Sequence, residues 1–250
     1  MEITWKQYKE IVSDQIETQG DFIYRGQSEA GWTLISSLMR SDLVWSREDF
    51  KTYFNFVLPQ VKEKIQAWEG RDWDLSNQFG LAEFVAYLQH NGFPTPLLDW
   101  TYSPYIAAYF AFEGINHFDP KTEHAAIYCF NQNAWSDKYK QEYDIAHDTD
   151  HVSILRPRMV GNHKLSLQQG CFTFSNVQDV ELHIRAHEKR ANETYLSKYI
   201  LRVSERPKVI TELSLMGVSA VQLMPSVESV CKKALNDLIG LHPVGRAKRS

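Results

Sequence analysis

The stretch that decides the fold is residues 94–112, which read PTPLLDWTYSPYIAAYFAF. The prolines at its start favour an extended backbone, so residues 97–100 are predicted to form a strand. A hydroxyl at Thr101 or Ser103 can cap a following helix, and the proline after it suits the first helical position. Residues 105–112 are apolar almost all round, which predicts a buried helix. The stretch therefore predicts a strand that leads directly into a core helix.

Hydrophobic periodicity extends this prediction along the chain. Helical spacing dominates the first third, where Pro59 is expected to kink or divide the longest helix. Later, short apolar runs predict strands that alternate with helices, so the fold is α+β or mixed α/β with one sheet. The predicted helices are 3–18, 47–68, 81–90, 105–112, 207–216 and 226–238, and the predicted strands are 21–26, 97–100, 125–130, 152–155, 171–174 and 199–203.

Composition and charge exclude several classes of protein. The 250 residues can bury a full core, and 43% of them are hydrophobic. Lys and Arg number 27 against 31 Asp and Glu, which argues against a surface that binds nucleic acid throughout but leaves room for a local basic groove. The 3 cysteines lack paired spacing and fit free thiols in a reducing cytoplasm. Without a signal-peptide pattern or a membrane-length apolar run, the sequence predicts a cytoplasmic protein with no membrane partner.

Common catalytic signatures are missing from the sequence. It has no glycine-rich dinucleotide motif, no phosphate-binding Gly-Lys-Ser/Thr loop, no His-Glu-x-x-His motif and no Gly-x-Ser-x-Gly motif. His183 and His187 stand four residues apart and could share a helix face with Glu181 or Glu188 as metal ligands. A solvated helix face explains that spacing more simply, so no metal site is predicted.

The first informative segment is residues 22–26, FIYRG, predicted as a short buried strand that ends in an Arg-Gly turn. An arginine at the end of a buried strand must be paired or must face a cleft. The fork of the Arg25 guanidinium suits a phosphate group, but a salt bridge to a buried carboxylate explains it equally well. Gly26 beside it permits close approach by a ligand or by another strand.

The second informative segment contains Asp99, which follows two leucines and precedes a tryptophan. Its carboxylate is predicted to be half-buried and partnered, with Arg25 as the obvious partner. The hydroxyls of Thr101 and Ser103 stand at a predicted helix N-terminus that favours anions, although a plain helix cap is the simpler explanation. His90 is either an acid–base residue of a cleft or a cap at the end of its helix.

The third informative segment is residues 167–172, LQQGCF. Glutamine is a poor residue to begin a strand, so the two glutamines before the glycine are predicted to aim their side chains at a ligand or at neighbouring backbone. Taken together, the three segments predict that Arg25, Asp99, Ser103 and Gln169 line one cleft shaped for a phosphate-bearing small molecule.

These segments resemble the FRG domain family, named for its Phe/Tyr-Arg-Gly motif. The resemblance rests on YRG at 24–26, on LLDWT at 97–101 with the Ser-Pro and AAYFA that follow, on QGCF at 169–172 and on LMGVSAVQLMP at 215–225. It covers roughly residues 5–238, which implies a single domain over 1–240 with a helical insertion at about 41–91 and a flexible basic tail at 241–250. The family commonly shows Arg where this sequence has Pro96, which puts a substrate contact in doubt.

The FRG layout is in turn similar to ADP-ribosyltransferases of the Arg-Ser-Glu type. That similarity implies an α+β fold with a mixed, mostly antiparallel sheet flanked by helices and a helical N-terminal segment. It also implies that NAD is the substrate and that its nicotinamide–ribose bond is broken through an oxocarbenium-like ribose.

The similarity assigns roles to particular residues. Gln169 would lie near the position of the usual catalytic glutamate, but glutamine cannot act as a base or a countercharge. Core packing is the preferred alternative for the aromatic residues Trp100 and Tyr109. The candidate catalytic residues are Arg25, His90, Asp99 and Gln169, and the candidate NAD-binding residues are Tyr24, Arg25, Gly26, Trp100, Thr101, Ser103 and Tyr109.

Three functions follow from these expectations. The first is an NAD-consuming ADP-ribosyltransferase or NAD glycohydrolase, a toxin or effector of bacterial phage defence, with a protein or nucleic-acid acceptor and an antitoxin or regulator as partners. The second is a non-catalytic module that recognises a nucleotide, nucleic acid or protein through the same cleft. The third, a nucleic-acid-processing enzyme using His90 and Asp99, has no ligand-spaced carboxylate cluster to support it.

Overall fold

The computed structural model describes residues 1–18, 20–41, 43, 46–115, 122–156 and 163–241. Within them, the chain forms one six-stranded antiparallel sheet flanked by helices, so the predicted α+β fold is confirmed. Apart from residue 241, the predicted basic tail lies outside the described residues. The strands are β1 (Phe22–Gln27), β2 (Leu97–Thr101), β3 (His124–Asn131), β4 (Val152–Leu155), β5 (Gly170–Ser175) and β6 (Leu196–Arg202).

The sheet divides into two halves between its central strands. The strand order is β4-β5-β2-β1-β3-β6, and β1 pairs with β3 along its whole length while β2 does the same with β5. By contrast, β1 and β2 share a single registered pair, Tyr24 with Thr101. The two central strands therefore part on one side of that pair, and the fork between them is open to other groups.

The half that contains β1 is covered by helices from distant parts of the chain. The predicted buried helix forms as α6 (Pro104–Glu113), with the side chain of Ser103 capping the Ile106 amide. Its small and aromatic side chains pack against β1 and β3 in one core, together with α1 (Trp5–Glu17) and α10 (Arg206–Leu215). This core fixes the position of β1, which carries the arginine predicted to bind phosphate.

Gly26 lies inside β1, so the predicted Arg-Gly turn is wrong. A Cβ atom at this position would stand 2.0 Å from the carbonyl oxygen of Ala107 and 2.5 Å from the amide nitrogen of Ala111. The close approach expected at Gly26 is therefore made by the backbone of α6, since only glycine lets the helix come so near the strand.

The other half is covered by the helices that precede β2. They include α2 (Ser37–Arg40), α3 (Arg47–Thr52), α4 (Leu58–Glu69) and α5 (Gln78–His90), which pack with β2 and β5 in a second core. The helix predicted to be kinked or divided at Pro59 is helical without a break over 47–69, and its α-helical parts are joined by a π-helical segment, Tyr53–Val57. The helical spacing of the apolar residues over 47–68 puts Trp68 on their common face and so predicts its burial, but Trp68 is 89% exposed.

A third core lies against both halves of the sheet. It joins side chains of β1, β2 and β3 to α7 (Gln132–Lys138), which was not predicted, and to α9 (Val180–Ala191), the helix that carries His183 and His187. The remaining helices are α8 (His163–Leu167), α11 (Ala220–Leu223) and α12 (Val227–Leu241). Among the described residues, no helix is both long and apolar enough to span a bilayer.

The histidine pair of α9 packs against aromatic residues, so the predicted solvated face is wrong there. The rings of His183 and His187 lie 4.6 Å apart, and that of His187 meets Trp135 at 5.5 Å and Tyr139 at 4.6 Å. Burial, with a smaller contribution from His187, lowers the pKa of His183 to about 4. Within the described part of the chain, no three His, Cys, Asp or Glu side chains gather as a metal site.

We expect this histidine to make the fold sensitive to acid. Between its ordinary pKa of 6.5 and about 4, the unfolded chain binds a proton at His183 that the folded chain does not, so stability falls as pH falls. His183→Gln should remove about 1 kcal/mol of that pH dependence, allowing for partial exposure. Urea unfolding at pH 4.5, 7 and 8 measures it. Equal losses of unfolding free energy between pH 7 and pH 4.5 in wild type and His183→Gln would contradict the assignment. The comparison of pH 7 with pH 8 in both proteins is the control.

Candidate functional site

The fork between β1 and β2 opens into a cleft of about 950 Å³. The cleft lies between α5 on one side and α6 on the other, and the segment that follows β1 closes its rim. This volume is in the range of small-molecule binding sites. Its described lining includes Arg25 and Gln27 of β1, Asp99 of β2, Gln89 and His90 of α5, and Phe110 of α6.

Arg25 lies at the base of the cleft with its charge only partly neutralised. Its side chain is 19% exposed, and its Nη1 donates a 2.7 Å hydrogen bond to the carbonyl oxygen of Asp99. The carboxylate of Asp99 is farther away, with 3.9 Å between Nη1 and Oδ2. Burial lowers the pKa of Arg25, the charge of Asp99 opposes that shift, and the charge of Arg40 adds to it.

Two buried polar atoms in this lining have no hydrogen-bond partner among the described residues. They are Nε of Arg25 and Oε1 of Gln27, which belong to alternate residues of β1. A buried donor on a charged group costs free energy when it is unpaired, and an anion placed in the cleft would remove that cost. The donor and the charge together make this end of the cleft suited to an anionic ligand.

Asp99 places a carboxylate on the wall of the cleft. The residue was predicted to be half-buried, but its side chain is 63% exposed because β2 departs from β1 at this point. Nε2 of Gln89 donates a 2.7 Å hydrogen bond to Oδ1 of Asp99. The hydroxyl of Thr95, which is fully buried, donates to Oε1 of Gln89 and so fixes which end of the amide faces Asp99.

A second arginine and an exposed tryptophan complete the polar and aromatic lining. Arg40 ends α2, lines the cleft, and donates from Nη1 to the carbonyl oxygen of Ile35. Trp32 lies on the segment between β1 and α2 and is 57% exposed. Sequence reasoning missed both residues, since neither belongs to a motif, and a search for cationic and aromatic residues just after the YRG strand would have found them.

The predicted site residues divide into those that the structure brings together and those that it does not. Arg25, Asp99 and His90 line the cleft, and Tyr24, Gly26, Trp100 and Thr101 border it. Ser103, Tyr109 and Gln169 are absent from its described lining, so the predicted four-residue cleft is only half formed.

The hydroxyls before α6 are used within the protein. Ser103 Oγ accepts from the Ile106 amide, and Thr101 Oγ1 donates a 2.7 Å hydrogen bond to the carbonyl oxygen of Gln168. Gln169 is exposed with a φ of 47°, a left-handed turn, and Gln168 lines the cleft in its place. The simpler interpretation of the serine as a helix cap agrees with these contacts.

Two of the predicted aromatic contacts pack in the cores. Trp100 is 3% exposed and donates from Nε1 to Thr173 Oγ1 over 3.0 Å. Tyr109 is buried in α6, and no described residue hydrogen-bonds its hydroxyl. Core packing was the preferred interpretation for both, and their burial leaves Trp32 and Phe110 as the aromatic faces of the cleft.

The comparison with known families locates this cleft within a recognised domain. Residues 20–120 match the family model described as FRG domain. This segment, less than half of the chain, is similar to the FRG domain. The matched segment includes both strands of the fork and both helices beside it, whereas Gln168 and Met224 reach the cleft from outside it. Searches of curated proteins and of solved structures found no match.

The three residues behind the name of the FRG domain have different functions in the fold. Tyr24 enters the core and donates from its hydroxyl to Oε1 of Gln15 over 2.9 Å. Gly26 admits the backbone of α6, and Arg25 between them extends into the cleft. Two of the three residues thus build the scaffold that places the third.

Proposed function

We propose that this cleft binds NAD, or a closely related nucleotide, and breaks the bond between nicotinamide and ribose. The observation that carries the proposal is the buried, partly unpartnered guanidinium of Arg25 in a cleft large enough for a nucleotide. Phosphate groups match the fork of a guanidinium, and they would supply the acceptors that the protein does not.

The charges of the cleft support an anionic ligand more than a cationic one. Arg25 and Arg40 both line it, and Asp99 contributes the only carboxylate of the described lining.

Arg40 is also relevant to Pro96, the position at which the FRG family commonly has an arginine. The Leu38 amide of α2 donates to the carbonyl oxygen of Thr95, so α2 and its Arg40 are attached one residue before this proline.

The proposed reaction needs little acid–base help at its first step. When the bond between ribose C1′ and the nicotinamide nitrogen breaks, the electron pair goes to nicotinamide, which leaves as a neutral molecule. The ribose becomes oxocarbenium-like and carries positive charge, which a fixed carboxylate stabilises. Water, or a hydroxyl or amine of an acceptor, then bonds to C1′ and releases a proton.

Asp99 is the residue that we assign to this charge. It is exposed to the cleft, and the hydrogen bond from Gln89 fixes its carboxylate before any ligand arrives. A preorganised negative charge stabilises a developing cation without the cost of reorienting solvent. His90 lines the same cleft, and we assign it to receive the proton released from water.

The test is release of nicotinamide by the purified protein. Wild-type protein should release it from NAD, and Asp99→Asn should reduce the rate about 100-fold or more because it removes the charge and keeps the shape. Asp148→Asn, at an exposed aspartate away from the cleft, is the matched control and should act like wild type. Chromatography of the products measures both rates. Equal rates in wild type and Asp99→Asn would remove Asp99 from the proposed reaction.

A second candidate, a binding module without chemistry, is favoured by one observation. Gln169, at the position assigned to a catalytic glutamate, is exposed and does not belong to the described lining of the cleft. Measurable affinity for NAD without release of nicotinamide would select this function, and absence of affinity for NAD would overturn the NAD-consuming function.

A further inference from the structure

The most exposed aromatic residue of the cleft lies on a segment whose backbone is held firmly. Trp32 turns 57% of its surface to solvent at the rim of the cleft. Exposure alone means little, since Trp68 is 89% exposed on α4 and does not line the cleft. What distinguishes Trp32 is that it lines the same cleft as Arg25, whose buried Nε has no hydrogen-bond partner among the described residues.

Hydrogen bonds within the segment and from two other elements fix the backbone around this tryptophan. The Trp32 amide donates to the carbonyl oxygen of Glu29 over 3.2 Å. Nε2 of Gln27 donates to the carbonyl oxygen of Thr33 over 3.4 Å, and the Val180 amide of α9 donates to that of Leu34 over 2.9 Å. The indole ring is therefore presented from an anchored segment, which lowers the entropy cost of binding a flat ligand.

The chain links the tryptophan closely to the strand that carries Arg25. Tyr128 is the registered β3 partner of Arg25, and its hydroxyl oxygen lies 3.4 Å from the carbonyl oxygen of Trp32. Arg40 follows eight residues after Trp32 and lines the same cleft. An aromatic face and two guanidiniums on one side of a cleft match a ligand with a flat ring and more than one phosphate.

We propose that Trp32 is the base-stacking, specificity-determining residue of the cleft, and that Arg25 and Arg40 hold the diphosphate of the same ligand. The inference rests on the proposed function and deepens it, because it names the ligand class as a nucleoside diphosphate that carries a base. Ligands with a phosphorylated sugar but no base should bind much more weakly. The ring is the determinant of this choice, since the arginines meet a phosphate group in both kinds of ligand.

The experiment compares ADP-ribose with ribose 5-phosphate by calorimetric titration. Stacking of a base on an aromatic side chain is worth about 1–3 kcal/mol, so Trp32→Ala should weaken ADP-ribose binding by roughly 5- to 150-fold. Its affinity for ribose 5-phosphate should stay within about twofold of wild type, because that ligand has nothing to stack. Trp32→Tyr should keep most of the affinity for ADP-ribose. Trp68→Ala, the matched control, should leave both affinities unchanged.

The outcomes separate this inference from the function on which it rests. Unchanged ADP-ribose affinity in Trp32→Ala would overturn the stacking role while leaving the proposed function intact. Equal losses of both ligands in Trp32→Ala and Trp32→Tyr would also overturn it, because they would mean that the substitution disturbs the cleft as a whole. Stacking confirmed without nicotinamide release would refute the reaction and keep the ligand class.

Discussion

Replacement of Gly26 by alanine is expected to destabilise the protein by about 3 kcal/mol or more. The added methyl group would lie 2.0 Å from the Ala107 carbonyl oxygen and 2.5 Å from the Ala111 amide nitrogen, both of them backbone atoms of α6. Neither can rotate away as a side chain would, so strand and helix must separate along the most tightly packed contact of their core. Thermal and urea unfolding measure the loss.

Gly31→Ala is the matched control for this substitution. Gly31 also lines the cleft, but the nearest atom to its added Cβ would be Oε1 of Glu29 at 3.5 Å, an ordinary contact with the end of a flexible side chain. We expect Gly31→Ala to change the free energy of unfolding by less than about 1 kcal/mol. If Gly26→Ala were as stable as this control, the close approach of α6 would be wrong.

Replacement of Arg25 by alanine is expected to abolish NAD binding, with a loss of about 100-fold or more, while the fold persists. The guanidinium makes only one short hydrogen bond, to a carbonyl oxygen, and its contact with the Asp99 carboxylate is 3.9 Å. A residue that held the fold together would be better satisfied than this, since removing one partner of a buried ion pair usually costs several kcal/mol. Calorimetric titration and urea unfolding of the same preparation measure both effects.

Two further variants sharpen the result for Arg25. Arg25→Lys keeps the positive charge but loses the paired N–H donors of the guanidinium, so it should recover only part of the affinity for NAD. Arg202→Ala removes an exposed arginine that pairs with Glu2 far from the cleft and should leave NAD affinity unchanged. If Arg25→Ala unfolds, or if it binds NAD as wild type does, Arg25 is a structural residue and the salt-bridge interpretation of the sequence holds.

The sheet and its main helices could be predicted because their signals are local. Short apolar runs between prolines, glycines and capping hydroxyls predict all six strands and α6. The error at Gly26 has a tertiary cause, since no local pattern distinguishes a glycine in a turn from one that admits a helix. Trp68 was misplaced because Val61 and Ile65 of the same helix pack against the second core, whereas residues 66–69 at the end of α4 are all exposed.

The candidate site could be predicted where its residues interrupt apolar strands. Arg25 and Asp99 are polar residues between buried neighbours, and the structure brings them into contact in the fork. The cleft itself could not be foreseen, because it depends on β1 and β2 sharing only one pair, which is a property of the whole sheet. For the same reason Trp32 and Arg40 were missed and Ser103 and Gln169 were included.

The central claim is that the fork between β1 and β2 holds a phosphate-bearing nucleotide. Its most direct test is titration of isotope-labelled protein with NAD, followed through the backbone amide signals of each residue. We predict saturable shifts that concentrate at Arg25, Gln27, Trp32, Asp99 and Gln168, with little change at His183 and His187, which do not belong to the described lining of the cleft. Absence of shifts at millimolar NAD, or shifts confined to another surface, would contradict the account.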